Sequence, residues 1–311
     1  MFGGYCGRAD RLLAFLAIYL IWGSTYLAIR WAVDSIPPLL MMALRCGAAG
    51  VILAVWGVVV SGASIDRRHW RSAFVAGALL FLFCHGTLAW AEQRVASGEA
   101  SLLAATTPLW MTVVDWRWGT RRRPGWMGVA GLAIGFAGVV LLVAPTWGSL
   151  PATDRVASSV IVLGALSWAI GSIYGRRAPL PADVRLATGL QLSAGCVWLL
   201  AASVAAGEWR QVSMPTAASV TALAYLVVFG SVVAFTAYVW LMRVVPASRV
   251  VTHAYVNPLV AVIVGAAFAG EGVTGSTIVA ALTIVAGVML ALVDRSAASA
   301  RPAISAHQSA S

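Results

Sequence analysis

The chain is a succession of long apolar runs separated by short polar loops. A helix of about 20 apolar residues crosses the roughly 30 Å hydrocarbon core of a bilayer. Ten runs of that kind can be marked in the 311 residues. They lie at about 11–33, 36–60, 71–91, 97–117, 124–144, 156–175, 184–206, 216–241, 247–269 and 274–293. The sequence therefore predicts an all-α, multi-pass membrane protein with ten transmembrane helices.

The composition excludes a soluble globule. Sixty per cent of the residues are hydrophobic and 10% are charged, whereas a soluble domain carries about 25% charged residues. The mean hydropathy is +0.87. Polar residues are too few to cover a globule of this size, so lipid must be the outer solvent.

The arginines predict the orientation of the chain. All 21 basic residues are arginine, and the net charge is +10. With the N-terminus inside, only Arg30, Arg94, Arg155 and Arg210 face outward, Arg45 lies within a span, and the others lie in cytoplasmic segments. Both termini are therefore predicted to be cytoplasmic, in a cell (inner) membrane. The positive charge is explained by contact with an anionic leaflet, without any nucleic acid partner.

The first half of the sequence returns in the second half. "WGSTY" at 22–26 matches "WAIGSIY" at 168–174, and "TPLW" at 107–110 matches "NPLV" at 257–260. Because each half contains five spans, an odd number, the second half enters the membrane from the opposite side. The prediction is two inverted five-helix repeats, 1–148 and 149–294, followed by a disordered cytoplasmic tail, 295–311. Inverted repeats with a central site are typical of secondary transporters.

Polar and aromatic side chains within the spans are the candidates for a site, since such groups usually face protein or a water-filled cavity. The candidates for the lining of a substrate-binding cavity are Trp22, Tyr26, Arg45, His85, Trp168, Gln191 and Asn257. Small residues beside the aromatics allow helices to approach each other closely. These helix-packing candidates are Gly23, Ser24, Gly171 and Ser172.

Two of these positions leave alternatives open. Arg45 either meets a substrate carboxylate or holds the carbonyl groups of a broken helix. His85 and Glu92 share one helical face, seven residues apart, and form either a proton relay or an ordinary solvated boundary carboxylate beside a histidine.

Pro108 and Pro258 are repeat-related and lie midway along their spans. Each removes a helical hydrogen bond and bends the helix. Thr107 and Asn257 beside them offer side chains to the backbone groups that are freed. A symmetric pair of bends is typical of helices that move around a central cavity.

Several functional classes lack their motifs. The sequence contains no Walker loop, no HExxH and no GxSxG. Cys6, Cys46, Cys84 and Cys196 have no metal-ligand or disulfide spacing. We therefore expect no metal, no cofactor, no catalytic residues and no enzyme activity.

The chain resembles the EamA-type transporters of the drug/metabolite transporter superfamily. The resemblance rests on "IWGSTYLAIRWAVDSIPPLLMMALRCGAAGVIL" at 21–53, "AEQRVASGEASLLAATTPLWMTVVDW" at 91–116, "LSWAIGSIYGRR" at 166–177 and "VVPASRVVTHAYVNPLVAVIVGAAFAGE" at 244–271. It implies that helices 1–4 and 6–9 surround a central cavity while helices 5 and 10 support them. The family's second-helix arginine matches Arg45, although Cys46 stands where many relatives have phenylalanine.

The expected function is a secondary transporter, and specifically an exporter, of small metabolites such as amino acids by alternating access. One alternative is a multidrug exporter, in which cations stack on Trp22 or Tyr26. Another is a membrane-embedded lipid-modifying enzyme. The expected partners are a small-molecule substrate and the lipid bilayer. A homodimer, the substrate's identity, the transport direction and proton coupling stay open at this stage.

Overall fold

In a computed structural model of the chain, residues 8–119, 125–147, 152–245 and 247–300 are described, and this part of the chain is helical without any strand. The helices are α1 (Arg8–Ala32), α2 (Pro38–Ser61), α3 (Arg67–Ala91), α4 (Ser97–Ala104), α5 (Thr107–Trp118), α6 (Trp126–Trp147), α7 (Ala152–Gly175), α8 (Val184–Ala205), α9 (Ala217–Val244), α10 (Ala247–Val250), α11 (His253–Ala269) and α12 (Gly275–Ala300).

Six helices are long and apolar enough to cross a bilayer: α1, α2, α3, α7, α8 and α9. Shorter apolar helical stretches lie in α6, α11 and α12. Many large apolar side chains, such as Val59 and Trp126, face outward, as they do in a protein that is surrounded by lipid. The prediction of an all-helical, multi-pass membrane protein is confirmed.

The predicted run 97–117 is divided into two helices, α4 and α5, which meet at residues 105–106. Pro108 lies in the first turn of α5, where the missing N–H costs least. Thr106 and Thr107 donate their hydroxyls to the carbonyl oxygens of Leu103 (2.8 Å) and Ala104 (2.7 Å). The equivalent interruption in the second half lies at residues 251–252, before α11, so that Pro258 is inside that helix.

Three of the long helices contain π-helical turns. They span Ala17–Ile21 in α1, Ala78–Gly86 in α3 and Leu226–Phe235 in α9. The turns in α3 and α9 occupy repeat-related positions. A π-helical turn widens the helix and is frequent at functional sites, and the apolar runs of the sequence carry no signal for it.

The helix contacts repeat between the two halves. Helix α1 packs against α9 and α11, and α7, its counterpart, packs against α3 and the α4–α5 pair. Helices α2 and α8, which are counterparts, pack against each other, as do α6 and α12. Equivalent helices of the two halves therefore make equivalent contacts in the bundle.

Glycines allow the closest of these contacts. A Cβ atom added at Gly57 of α2 would lie 2.6 Å from the backbone nitrogen of Leu186 in α8. One added at Gly189 of α8 would lie 2.8 Å from Cα of Ala54 in α2. The α2–α8 contact is thus made by backbone against backbone, the geometry that small residues permit between membrane helices.

Helix α12 continues through Ala300, so residues 295–300 are helical rather than part of a disordered tail. Three alanines in "RSAASA" explain the extension, because alanine has the highest helix propensity. Residues 301–311, the rest of the predicted tail, lie outside the described residues.

We predict that Gly189→Ala destabilises the protein by about 1–3 kcal/mol, the usual cost of overpacking, because its methyl group would collide with the backbone of α2. The measurement is thermal unfolding in detergent. Gly275→Ala is the matched control, since nothing lies within 4 Å of its added Cβ atom. Equal melting of the two variants would contradict the close α2–α8 contact.

Candidate functional site

A small central cavity of about 80 Å³ lies where α1, α3, α7 and α11 meet beside the α4–α5 break. It is lined by Trp22, Tyr26 and His85 from the first half of the chain and by Trp168 and Asn257 from the second half. These five residues are all predicted cavity candidates, and they come from both halves of the chain. Cys84, Ser101, Thr107, His253 and Pro258 also line it.

Aromatic rings enclose this cavity. Trp22 lies edge-on to Trp168 with centroids 5.7 Å apart and edge-on to His253 at 5.2 Å. His85 lies edge-on to Trp168 at 5.1 Å. Edge-on and tilted rings at these separations attract each other, so the lining is held in place before any ligand arrives.

Hydrogen bonds fix the lining to the π-helical turns. Trp22 donates its indole N–H to the carbonyl of Gly230 in α9 (3.2 Å). With its amide oriented by its partners, Asn257 donates to the carbonyl oxygens of Ile18 (3.3 Å) and Tyr19 (3.1 Å) in α1 and to that of His253 (3.0 Å). The site residues therefore also supply donors to the irregular backbone.

Two histidines present acceptors to the cavity. Nδ1 of His85 lies 2.8 Å from the carbonyl oxygen of Leu80, and Nδ1 of His253 lies 2.9 Å from that of Val250. Because a carbonyl only accepts, Nδ1 carries the hydrogen in each contact. In the neutral ring, Nε2 is then left as an acceptor.

A second cavity of about 360 Å³ lies at the end of the bundle formed by the α7–α8 loop and the C-terminal part of α9. Its polar wall contains Ser172, Arg176, Gln191, Tyr238 and Arg243. Its described lining includes two arginines and no carboxylate. This cavity is about the size of a small-ligand site, and its charge suits an anion.

Tyr238 and Phe235 lie in the aromatic layer between the two cavities. Tyr238 lines the second cavity and lies 5.1 Å from Trp22 and 5.3 Å from Trp168, measured between ring centroids. Its hydroxyl is 2.7 Å from that of Ser172. Any solute moving between the cavities would have to displace these rings.

Arg45 lines neither cavity. Its side chain is buried, and its Nε donates to the hydroxyl of Ser231 in the π-helical turn of α9 (2.8 Å). A Cβ atom added at the neighbouring Gly230 would lie 3.1 Å from Nη2 of Arg45. The side chain of Arg45 thus lies between α2 and α9, close to the glycine whose carbonyl group accepts from Trp22.

The predicted packing residues lie at helix contacts. A Cβ atom at Gly23 would lie 2.5 Å from Cβ of Val260, and one at Gly171 would lie 2.8 Å from Cδ2 of Leu80. The hydroxyl of Ser24 lies 2.6 Å from that of Tyr225 in α9. Gly171 also lines the second cavity.

Two carboxylates close the opposite end of the bundle. Glu208, after α8, accepts from the backbone N–H groups of Leu39 (3.1 Å) and Leu40 (2.8 Å) at the start of α2. Glu271, after α11, accepts from the N–H groups of Ser97 (2.9 Å) and Gly98 (3.0 Å) at the start of α4. Each carboxylate from the second half therefore caps the N-terminus of its counterpart helix in the first half.

A charged pair stabilises the loop at the second cavity. Partial burial raises the pKa of Asp183. The hydrogen bonds that it accepts from the Arg185 guanidinium (2.7 Å) and the Leu186 N–H (3.0 Å) lower the pKa by more, so it lies below its ordinary value. A depressed pKa means that this contact stabilises the fold above the unfolded pKa and is lost as the pH falls through the folded pKa. Arg243 donates to the carbonyl oxygens of Pro181 (3.0 Å) and Ala182 in the same loop.

Sequence reasoning missed the roles of Arg176, Arg243, Phe235 and Tyr238 in the second cavity and its ring layer. The loop arginines served only to orient the chain, and the two aromatic residues lay within an ordinary apolar run. The signal for Tyr238 was weak, since its only distinction was a polar atom inside a predicted span.

Comparisons with known proteins agree on the class. Residues 11–144 and 156–293 each match the EamA-like transporter family. The chain is 36% identical over 293 residues to the "Uncharacterized inner membrane transporter YedA" of Escherichia coli, covering 94% of this chain and 93% of YedA. It is 25% identical to the "Uncharacterized transporter YoaV" of Bacillus subtilis, covering 90% and 95%, and 26% identical to PecM of Dickeya dadantii, covering 87% and 88%. A crystal structure with a TM-score of 0.67 and 22% identity, covering 94% of this chain and 99% of that chain, shares the fold.

We predict that Asn257→Leu destabilises the protein by about 2 kcal/mol, at about 0.6 kcal/mol for each hydrogen bond lost within a membrane. The measurement is thermal unfolding in detergent. The matched control is Gln191→Leu, which removes one hydrogen bond from the side-chain amide to the carbonyl oxygen of Ala187. Its melting temperature should be closer to that of the wild-type protein. An Asn257→Leu variant as stable as the wild type would exclude these three bonds.

Proposed function

Because this chain belongs to the EamA-like transporter family, we propose that it is a secondary transporter that exports small metabolites such as amino acids by alternating access. It is a multi-pass protein of the inner membrane, and its relatives YedA and YoaV carry the names of transporters. The finer steps, which are the substrate class, the direction and the mechanism, are argued below from the two cavities.

The proposed topology has ten membrane crossings in two inverted repeats with both termini in the cytoplasm. In it, α4 with α5 and α10 with α11 each make one crossing, as two helices in series. The repeated helix contacts support the relation between the halves, and the distribution of arginine supports the orientation. The second cavity then opens toward the cytoplasm, and the carboxylate caps lie outside.

The observation that carries the proposal is the cationic second cavity. Its volume of about 360 Å³ fits a small metabolite, and Arg176 and Arg243 face it without a carboxylate in its described lining. Arginine binds carboxylates through charge-assisted hydrogen bonds. A carboxylate-bearing metabolite taken from the cytoplasm is therefore the substrate that this entrance favours.

The central cavity is the reason that the proposed mechanism is alternating access. A volume of about 80 Å³ holds water but no amino acid, and the ring layer of Trp22, Trp168 and Tyr238 separates it from the cytoplasmic cavity. Transport therefore requires the rings to part and the capped external end to open in turn. Hydrogen-bonded breaks and π-helical turns give α1, α3 and α9 places at which to bend.

The aromatic central lining favours a second candidate, a multidrug exporter, because cations bind over the faces of indole and phenol rings. The two candidates differ at the cytoplasmic entrance, where arginine repels a cation. A lipid-modifying enzyme has less support, since among the described residues Glu208 and Glu271 are engaged as helix caps and no His/Cys/Asp/Glu group could hold a metal.

We predict that Arg176→Gln raises KM for a carboxylate-bearing amino acid roughly tenfold, the equivalent of about 1.4 kcal/mol of lost binding, with a smaller change in kcat. The measurement is uptake of a panel of radiolabelled amino acids into proteoliposomes. Arg210→Gln is the control, since that guanidinium stacks on Trp209 at the other end of the bundle. An unchanged KM for every transported substrate would remove Arg176 from the site, and preferential transport of organic cations would favour the multidrug alternative.

The orientation has its own test. In a variant with all four cysteines replaced by alanine, we expect Gly272→Cys to react with a membrane-impermeant maleimide in intact cells, because the loop after α11 is exposed and lies outside in the proposed topology. Ser64→Cys, in the exposed loop after α2, should react only after the cells are permeabilised. The reverse pattern would invert the topology.

A further inference from the structure

Glu92, at the C-terminal end of α3, is buried without a partner. The residue is 1% exposed, and neither carboxyl oxygen has a hydrogen-bond partner. None of the ion pairs found among the described residues includes it. An ionised carboxylate without partners in such a setting is strongly unfavourable, and the group takes up a proton instead. The boundary carboxylate expected to be solvated is therefore enclosed in the protein.

Charged groups surround Glu92 at a longer range. Tyr26 and Arg30 on α1, Arg45 on α2 and Glu271 after α11 interact with it electrostatically. Two of these groups, Arg30 and Glu271, lie at the external end of the bundle. Nη1 of Arg30 is 3.8 Å from Oε1 of Glu271, and Glu271 caps α4. Tyr26 lines the central cavity. Glu92 therefore lies between the closed external end and the central cavity.

We propose that Glu92 is a proton-binding site that couples transport to the pH gradient, and that protonation of this carboxyl group accompanies the closing of the open external end. This inference rests on the proposed transport function and adds the coupling ion to it.

The charges give the steps an order. When the external end opens, water reaches Glu92, and the ionised carboxylate attracts Arg30 away from Glu271. Closure removes that water, so Glu92 takes a proton from the external solution and Arg30 returns to Glu271. Water that enters the central cavity from the cytoplasmic side, beside Tyr26, then receives the proton. External acid thus drives the empty carrier back to the cytoplasmic side, which is the return step that an exporter needs.

The test separates coupling from transport. Proteoliposomes are loaded with a panel of radiolabelled amino acids, and efflux is measured with acid outside and without a pH gradient, beside exchange of labelled for unlabelled substrate. We expect Glu92→Gln, which mimics the protonated acid, to keep the exchange and to lose the acceleration by external acid. Glu99→Gln, at the same end of the bundle, should respond as the wild type does. A Glu92→Gln variant that still responds to the gradient would overturn the proposal.

A second measurement needs no substrate. The infrared spectrum of the wild-type protein at neutral pH should show the carbonyl band of a protonated carboxylic acid. The protein is measured in maltoside detergent, which has no ester carbonyl group. We expect Glu92→Gln to abolish this band and Glu99→Gln to leave it. A band that survives in Glu92→Gln overturns the proton site. If the band behaves as expected but no amino acid moves, the proposed substrate class fails while the proton site stands.

Discussion

Lipid offers no hydrogen-bond partners to the backbone, so irregular backbone inside the membrane must find its partners within the protein. The site depends on this requirement. Its cavities lie beside π-helical turns in α1, α3 and α9, where the regular helical pattern is interrupted. Side chains of other helices donate to carbonyl groups in those turns: Asn257 to Ile18, Ser167 to Leu79 and Trp22 to Gly230. These polar side chains thus hydrogen-bond to the irregular backbone, and Trp22 and Asn257 also line the central cavity.

The same reasoning places Arg45. A buried guanidinium needs acceptors, and it finds Ser231 in the π-helical turn of α9, next to the carbonyl that Trp22 binds. Its donors thus contact the side chains of Ser231 and Met42, and the arginines that line a cavity are Arg176 and Arg243. The arginine that is buried between helices and the arginines that line a cavity are therefore different residues.

Much of the architecture could be predicted from the sequence, because its physical causes are local. Apolar length predicts the long helices, and the matched "WGSTY" and "WAIGSIY" segments predict a relation between the halves. Trp22, Tyr26 and Trp168 reach the central cavity because helical spacing sets the face on which they lie. The burial of Glu92 could not be predicted, since it depends on the packing of α2 and α7 against the C-terminal end of α3. The position of each interruption could not be predicted either, because Pro108 lies in the first turn of α5 whereas Pro258 lies within α11.

The exchanged caps have a consequence for how the protein is made. The backbone amide groups of Leu40 and Ser97 are synthesised long before their acceptors. Glu208 follows Leu40 by 168 residues, and Glu271 follows Ser97 by 174 residues. Until those carboxylates are synthesised, two helix N-termini of the first half lack their acceptors. A chain that contained only one repeat could obtain both caps only from a second molecule. The finished protein therefore keeps, within a single polypeptide, a mutual dependence that a half-length product would have to satisfy by pairing.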